Sequence, residues 1–272
     1  MSPNHLQARD LPPWYEPGQF VITGYRNPRY HSTLATAAAS AFAWHNETLN
    51  IHTHLLTGLA GFAILYYRLQ EPFYLNGSDF VKFFSVVQAL SVIIMGFTSA
   101  FAHTFYVISP AWYALSWKVD VIGIISVTYS HLLADHYLLF SVVSPAPILF
   151  YTSMGACTAF MVYSAYNVFT SDGKNIGIWG VYCGGLASIP YTAAVAWYAA
   201  TSEDPILRET GTASILCSIC CIIAGGIFFT GKIPERFIQS RWIDYGFHSH
   251  VWHHIFISLS IYLGGQGIPH LR

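Results

Sequence analysis

Phe83-Phe-Ser-Val-Val-Gln-Ala-Leu-Ser-Val-Ile-Ile-Met-Gly-Phe-Thr-Ser-Ala-Phe-Ala-His-Thr-Phe-Tyr-Val107 contains no Asp, Glu, Lys or Arg. A helix that crosses the hydrocarbon of a bilayer needs roughly 20 mostly apolar residues, and this stretch exceeds that. Six further stretches approach or exceed it, at 49–67, 119–139, 147–169, 176–200, 213–230 and 248–264. The expectation is an all-α integral membrane protein of seven transmembrane helices, with a segment at 1–48 ahead of a transmembrane domain at 49–272. Composition agrees. Hydrophobic residues make up 54% of the 272 and charged residues only 9%, against about 25% charged in a soluble domain. Aromatics at 17% suit a protein that places Trp and Tyr at lipid–water boundaries. A net charge of −1 offers no basic field for nucleic acid. Residues 1–18 are polar and proline-bearing, so no cleavable signal peptide is expected.

Lys and Arg set the orientation, because cytoplasmic loops carry an excess of them. With the N-terminus inside, the inner segments hold Arg9, Arg26, Arg29, Lys118, Lys174, Lys232, Arg236 and Arg241, and the outer ones Arg68, Lys82, Arg208 and Arg272. Eight against four places the N-terminus in the cytosol and the C-terminus outside. Two stretches fit the glycosylation pattern, Asn46-Glu-Thr48 and Asn76-Gly-Ser78. Only Asn76 falls in an outer loop, so Asn76 is expected to be modifiable and Asn46 not. Pro190 should kink the fifth span. No internal repeat marks an inverted-repeat transporter.

Ionisable residues within spans are costly and are functional candidates. His103 closes the second span, Asp120 opens the third, and His250 and His254 open the seventh. Span two runs inward while three and seven start from inside, so all four residues share one depth near the inner boundary. His250 and His254 are four apart and share a helix face. With His103 they offer three imidazoles, leaving an open position for water, the pattern of catalytic zinc. Imidazole also suits copper, iron or nickel, but three histidines beside a carboxylate point to zinc. Asp120 could bind metal or hold its water. Ser99, four residues before His103, lies on the same face. Any one of these histidines alone reads as a helix cap, and the set with matched depth reads as a metal site.

Other polar residues carry less. His52 and His54 are two apart, on different helix faces, and read as interfacial. His131 and Asp135 are four apart and could pair, but lie ~16–22 Å from Asp120 at 1.5 Å rise per residue. Glu47 and Asn50, just before the first span, read as structural. Among the cysteines Cys157, Cys183, Cys217, Cys220 and Cys221, the CxxC at 217–220 lies mid-span and reads as small residues packing one helix on another.

The motifs Gly24-Tyr-Arg26, Asn46-Glu-Thr-Leu-Asn50-Ile-His-Thr53-His54, Ser99-x3-His103, Asp120 and His250-x3-His254 together resemble the progestin and adiponectin receptor family, with its haemolysin-III-related, zinc-homeostasis and osmotin-receptor members. The resemblance runs from about Gly24 to the end of span seven. It implies seven helices with a cytosolic N-terminus, Zn2+ held by His103, His250 and His254, Asp120 contacting the zinc through water, and Ser99 nearby. The chain departs at His52, where animal receptors carry an aromatic residue. Two functions compete. The first is a zinc-dependent hydrolase of the plasma membrane or endoplasmic reticulum that cleaves the amide of ceramide or a similar sphingolipid, with Asp120 as general base and Ser99 as carbonyl partner. The second is a signalling receptor or zinc-homeostasis regulator in which zinc is a structural clip and an extracellular protein or lipid is the ligand. A retinal pump needs a lysine in the last span, and 248–264 has none. A zinc transporter would need polar residues through the membrane depth, and spans four and six lack Asp, Glu and His.

Overall fold

A computed structural model describes residues 4–70, 79–137, 147–170, 187–203, 205 and 207–267. Eight α-helices dominate it. A short helix α1 (Leu34–Ser40) precedes α2 (Thr48–Gln70), α3 (Asp79–Phe105), α4 (Pro110–Tyr137), α5 (Pro147–Thr170), α6 (Ala187–Ala200), α7 (Thr212–Gly231) and α8 (Ser249–Gly267). Each of the seven apolar stretches thus overlaps one helix from α2 to α8. Among the described residues, three helical stretches are long and apolar enough to cross a membrane, at Thr48–Gln70, Lys82–Phe105 and Arg208–Gly231.

Two boundaries depart from the hydrophobic pattern. The fifth stretch is described only from 187 onward. The helix of the third stretch, α4, begins nine residues before 119, at Pro110. Proline is favoured in a first helical turn, where its missing N–H costs nothing. Ser109 caps that turn: its carbonyl accepts the N–H of Tyr113 at 2.8 Å. Asp120 therefore sits three turns inside α4, and Lys118 reaches across to donate to the Phe169 carbonyl at the end of α5 (2.9 Å).

The helices pack in chain order, α2 on α3, α3 on α4, α4 on both α5 and α6, α6 on α7 and α7 on α8, and α8 returns against α2. The surface is inverted relative to a soluble protein. Leu56, Ile148 and Trp197 are 64%, 79% and 74% exposed, while Gln88, Ser91, Ser130, Ser218 and Ser260 are buried. Buried hydroxyls pair between helices, Ser91 with Ser130 at 2.7 Å and Ser218 with the Ser260 carbonyl at 2.9 Å, the polar packing that lipid-embedded helices use. Cys217 and Cys220 lie on the exposed side of α7, so the helix-packing role expected of them falls to Ser218. Asn76, Lys174, Cys183 and the Asp135 side chain lie outside the described residues. His131 bonds the Val127 carbonyl of its own helix.

The N-terminal segment folds onto the end of the bundle where α3 stops and α8 starts. His5–Leu6 (β1) pairs antiparallel with Tyr25–Arg26 (β2). Tyr15, Val21, Tyr25 and Ala37 form a core with Tyr106 and Val107, and the Tyr15 and Tyr106 hydroxyls bond at 3.1 Å. The Arg26 side chain is fully buried. It donates to the carbonyls of His103 and Thr104 and to the Ser40 hydroxyl, so a cation caps the carbonyl end of α3, where the helix dipole favours it.

Candidate metal centre

Two helices deliver the imidazoles. His103 lies in the last turn of α3, which Arg26 fixes by its carbonyl. His250 and His254 lie in the first two turns of α8. The start of α8 is set from two sides. Glu235 accepts the Ser249 N–H at 2.7 Å and its other oxygen bonds the Ser249 hydroxyl, a carboxylate at a helix N-terminus. His248 bonds the Asn46 carbonyl at 2.9 Å. Since His250 is only two residues in, these anchors place it.

The rings of His103, His250 and His254 converge, with centroids 5.1, 4.9 and 4.5 Å apart. One potential ligand atom from each lies within 4.8 Å of the others, a spacing that could hold a metal ion. The three histidines that the sequence groups are thus brought together. Asp120 stands 4.0 Å from His103 Nε2 through its Oδ2, too far for a direct hydrogen bond, and Ser99 is buried one turn before His103 on α3. Trp117 and Phe229 present ring edges to His103 and His250.

Glu47, expected to be structural, belongs to the site. Its Oε2 lies 2.8 Å from His103 Nδ1 and accepts from Asn50 Nδ2 at 2.7 Å, while Asn46 Nδ2 donates to Oε1. Burial opposes its charge, but the His103 hydrogen bond and charge outweigh that, and the carboxyl is held well below the usual carboxylate range. With Nδ1 taken by Glu47, His103 Nε2 is buried and has no protein partner. An imidazole oriented by a carboxylate, with its second nitrogen free among other imidazoles, is how metal-binding histidines are commonly held. The donor set therefore fits a borderline metal such as zinc. His54 departs from the interfacial place expected of it. It is buried, with its ring 3.8 Å from that of His254, whereas His52 does sit at the edge, bonded to the Ala41 carbonyl.

Residues 42–263 match the haemolysin-III-related family model. The chain belongs to the haemolysin-III-related family. This match takes in every site residue from Glu47 to His254. Several relatives are receptors by name, which supports the progestin and adiponectin receptor assignment. Human membrane progestin receptor alpha is 24% identical over 93% of this chain and 73% of its own length. The Drosophila melanogaster adiponectin receptor protein is 24% identical over 97% of this chain and 58% of its own. The Saccharomyces cerevisiae ADIPOR-like receptor IZH3 is 25% identical over 88% and 45%. The chain thus spans roughly half to three quarters of these family members. With the exposed apolar helices, the family places this chain in a membrane.

Proposed function

We propose that this chain is a zinc-dependent lipid amide hydrolase within a receptor-type membrane protein, acting on ceramide or a similar sphingolipid. The observation that carries the reading is the meeting of three imidazoles from two helices with Asp120 beside them. His103, His250 and His254 would hold the metal. Zinc bound by three nitrogens supplies Lewis acidity and a water that ionises near neutral pH. Asp120 takes the proton of the attacking water as its oxygen adds to the amide carbonyl carbon, and returns it to the nitrogen as the C–N bond breaks, leaving a fatty acid and a sphingoid base. Ser99 would donate to the amide carbonyl oxygen. Glu47 keeps His103 in the tautomer that points Nε2 to the ion. A site near the membrane boundary suits an amphipathic amide whose acyl chain lies among the helices. The reading includes seven crossings, a cytosolic N-terminus, an outside C-terminus, and residence in the plasma membrane or endoplasmic reticulum.

A second reading keeps zinc as a clip joining α3 and α8, with an outside protein or lipid as ligand; the receptor names of the relatives favour it. The test is metal analysis of the purified protein beside His250→Ala, followed by hydrolysis of a ceramide panel by wild type and Asp120→Asn. Wild type should retain stoichiometric zinc and His250→Ala little. Asp120→Asn should keep zinc and lose hydrolysis by roughly 100-fold or more, the scale of general base catalysis. Zinc without turnover of any ceramide would leave the receptor reading standing, and no zinc at all would remove both.

A further inference from the structure

His54 has no task in the reaction above, yet it is buried in α2 beside the site. It is 4% exposed. Asn50 precedes it by four residues and shares its face of α2, and Glu47 stands one residue before that helix begins. Neither ring nitrogen of His54 has a hydrogen-bond partner. Its ring meets that of His254 edge to face at 3.8 Å and 77°, nearer than any separation within the ligand trio. The Nδ1 of His254 is likewise buried and unpartnered. Buried polar groups are nearly always satisfied, and here two orphans lie side by side.

A metal-bound imidazole normally gives its other N–H to an acceptor, which fixes its tautomer and ring orientation. Glu47 does this for His103. For His254 the group standing next to it is the His54 imidazole, and a neutral imidazole offers one accepting nitrogen. We propose that His54 is a positioning residue whose unprotonated ring nitrogen accepts the Nδ1–H of His254 and thereby aims the Nε2 of His254 at the metal. The terminal torsion of a histidine is soft, so a small ring rotation completes the bond. This rests on the metal reading of the trio. His54 is not a fourth ligand, since it lies outside the group whose nitrogens converge.

The test is zinc affinity by chelator competition in wild type, His54→Leu, His54→Met and His54→Gln, with the thermal stability of each metal-free form measured alongside. The apolar variants should bind zinc roughly 10- to 100-fold more weakly while keeping metal-free stability. His54→Gln, whose amide oxygen can accept the N–H, should recover most of the affinity. Equal zinc affinity in wild type and in whichever apolar variant folds would overturn the proposal while leaving the metal reading intact. Gln and an apolar residue weakening binding equally would also overturn it. Wild type that binds no zinc overturns both.

Discussion

At the residue scale the site turns on pairs of groups that no sequence spacing connects. Glu47 and His103 are 56 positions apart, and Glu47 precedes its span, so nothing local marks it as part of a metal centre. The i, i+4 pair of His250 and His254 is legible because one helix imposes it. His103 and Asp120 are legible because an ionisable group in an apolar run is costly. Glu47 and His54 become visible only when α2 packs on α3 and α8. The carboxylate of Glu47 touches His103 at 2.8 Å and is itself held by Asn50 and Asn46. Glu47→Gln keeps an acceptor but removes the charge that raises ligand basicity. Zinc affinity measured by chelator competition should fall by roughly tenfold, and by about 100-fold in Glu47→Ala, the range found for outer-shell partners. An unchanged affinity in both would separate Glu47 from the metal.

At the element scale the site depends on how closely α2 and α3 cross. Gly96 of α3 faces Gly58 of α2. A Cβ on Gly96 would lie 2.3 Å from the Gly58 nitrogen, 2.5 Å from its Cα and 2.7 Å from the His54 carbonyl. These are backbone atoms and cannot turn aside. Small residues at such crossings let helices approach where no hydrophobic force drives them together. Gly96→Ala should destabilise the folded protein by about 3 kcal/mol, the upper end for overpacking a tight interface. Because Gly58 and His54 are one turn apart, the same change should loosen zinc. Thermal unfolding in detergent, with and without zinc, measures both; a variant as stable as wild type would mean the crossing is not tight. Element existence was readable from length and hydropathy alone. The start of α4 was not, because its first turns carry Trp112, Trp117 and Lys118, polar or amphipathic groups that a hydrophobic window excludes, while the Ser109-Pro110 cap that starts them is a local signal of a different kind.

At the scale of the whole molecule the N-terminal segment and the candidate site occupy one end. Arg26 caps α3 at His103, Thr23 bonds Asp244 through its N–H and hydroxyl at 3.0 and 2.9 Å, and Gly24 accepts from the Asn46 N–H. Whichever side of the membrane holds the N-terminus therefore holds the site. The topology proposed from the bias of Lys and Arg has both in the cytosol. Glycosylation of Asn46 is a weaker reporter than its motif suggests: Asn46 is 3% exposed and its amide is engaged by Glu47, so the fold protects it on either side of the membrane. A stricter measurement is an epitope at each terminus, stained in intact and in permeabilised cells. The C-terminal epitope should stain in both and the N-terminal one only after permeabilisation. An N-terminal epitope accessible on intact cells would invert the molecule. It would also move the three histidines to the outer leaflet, where a lipid amide could reach them only from outside, so topology and substrate access stand or fall on the same experiment.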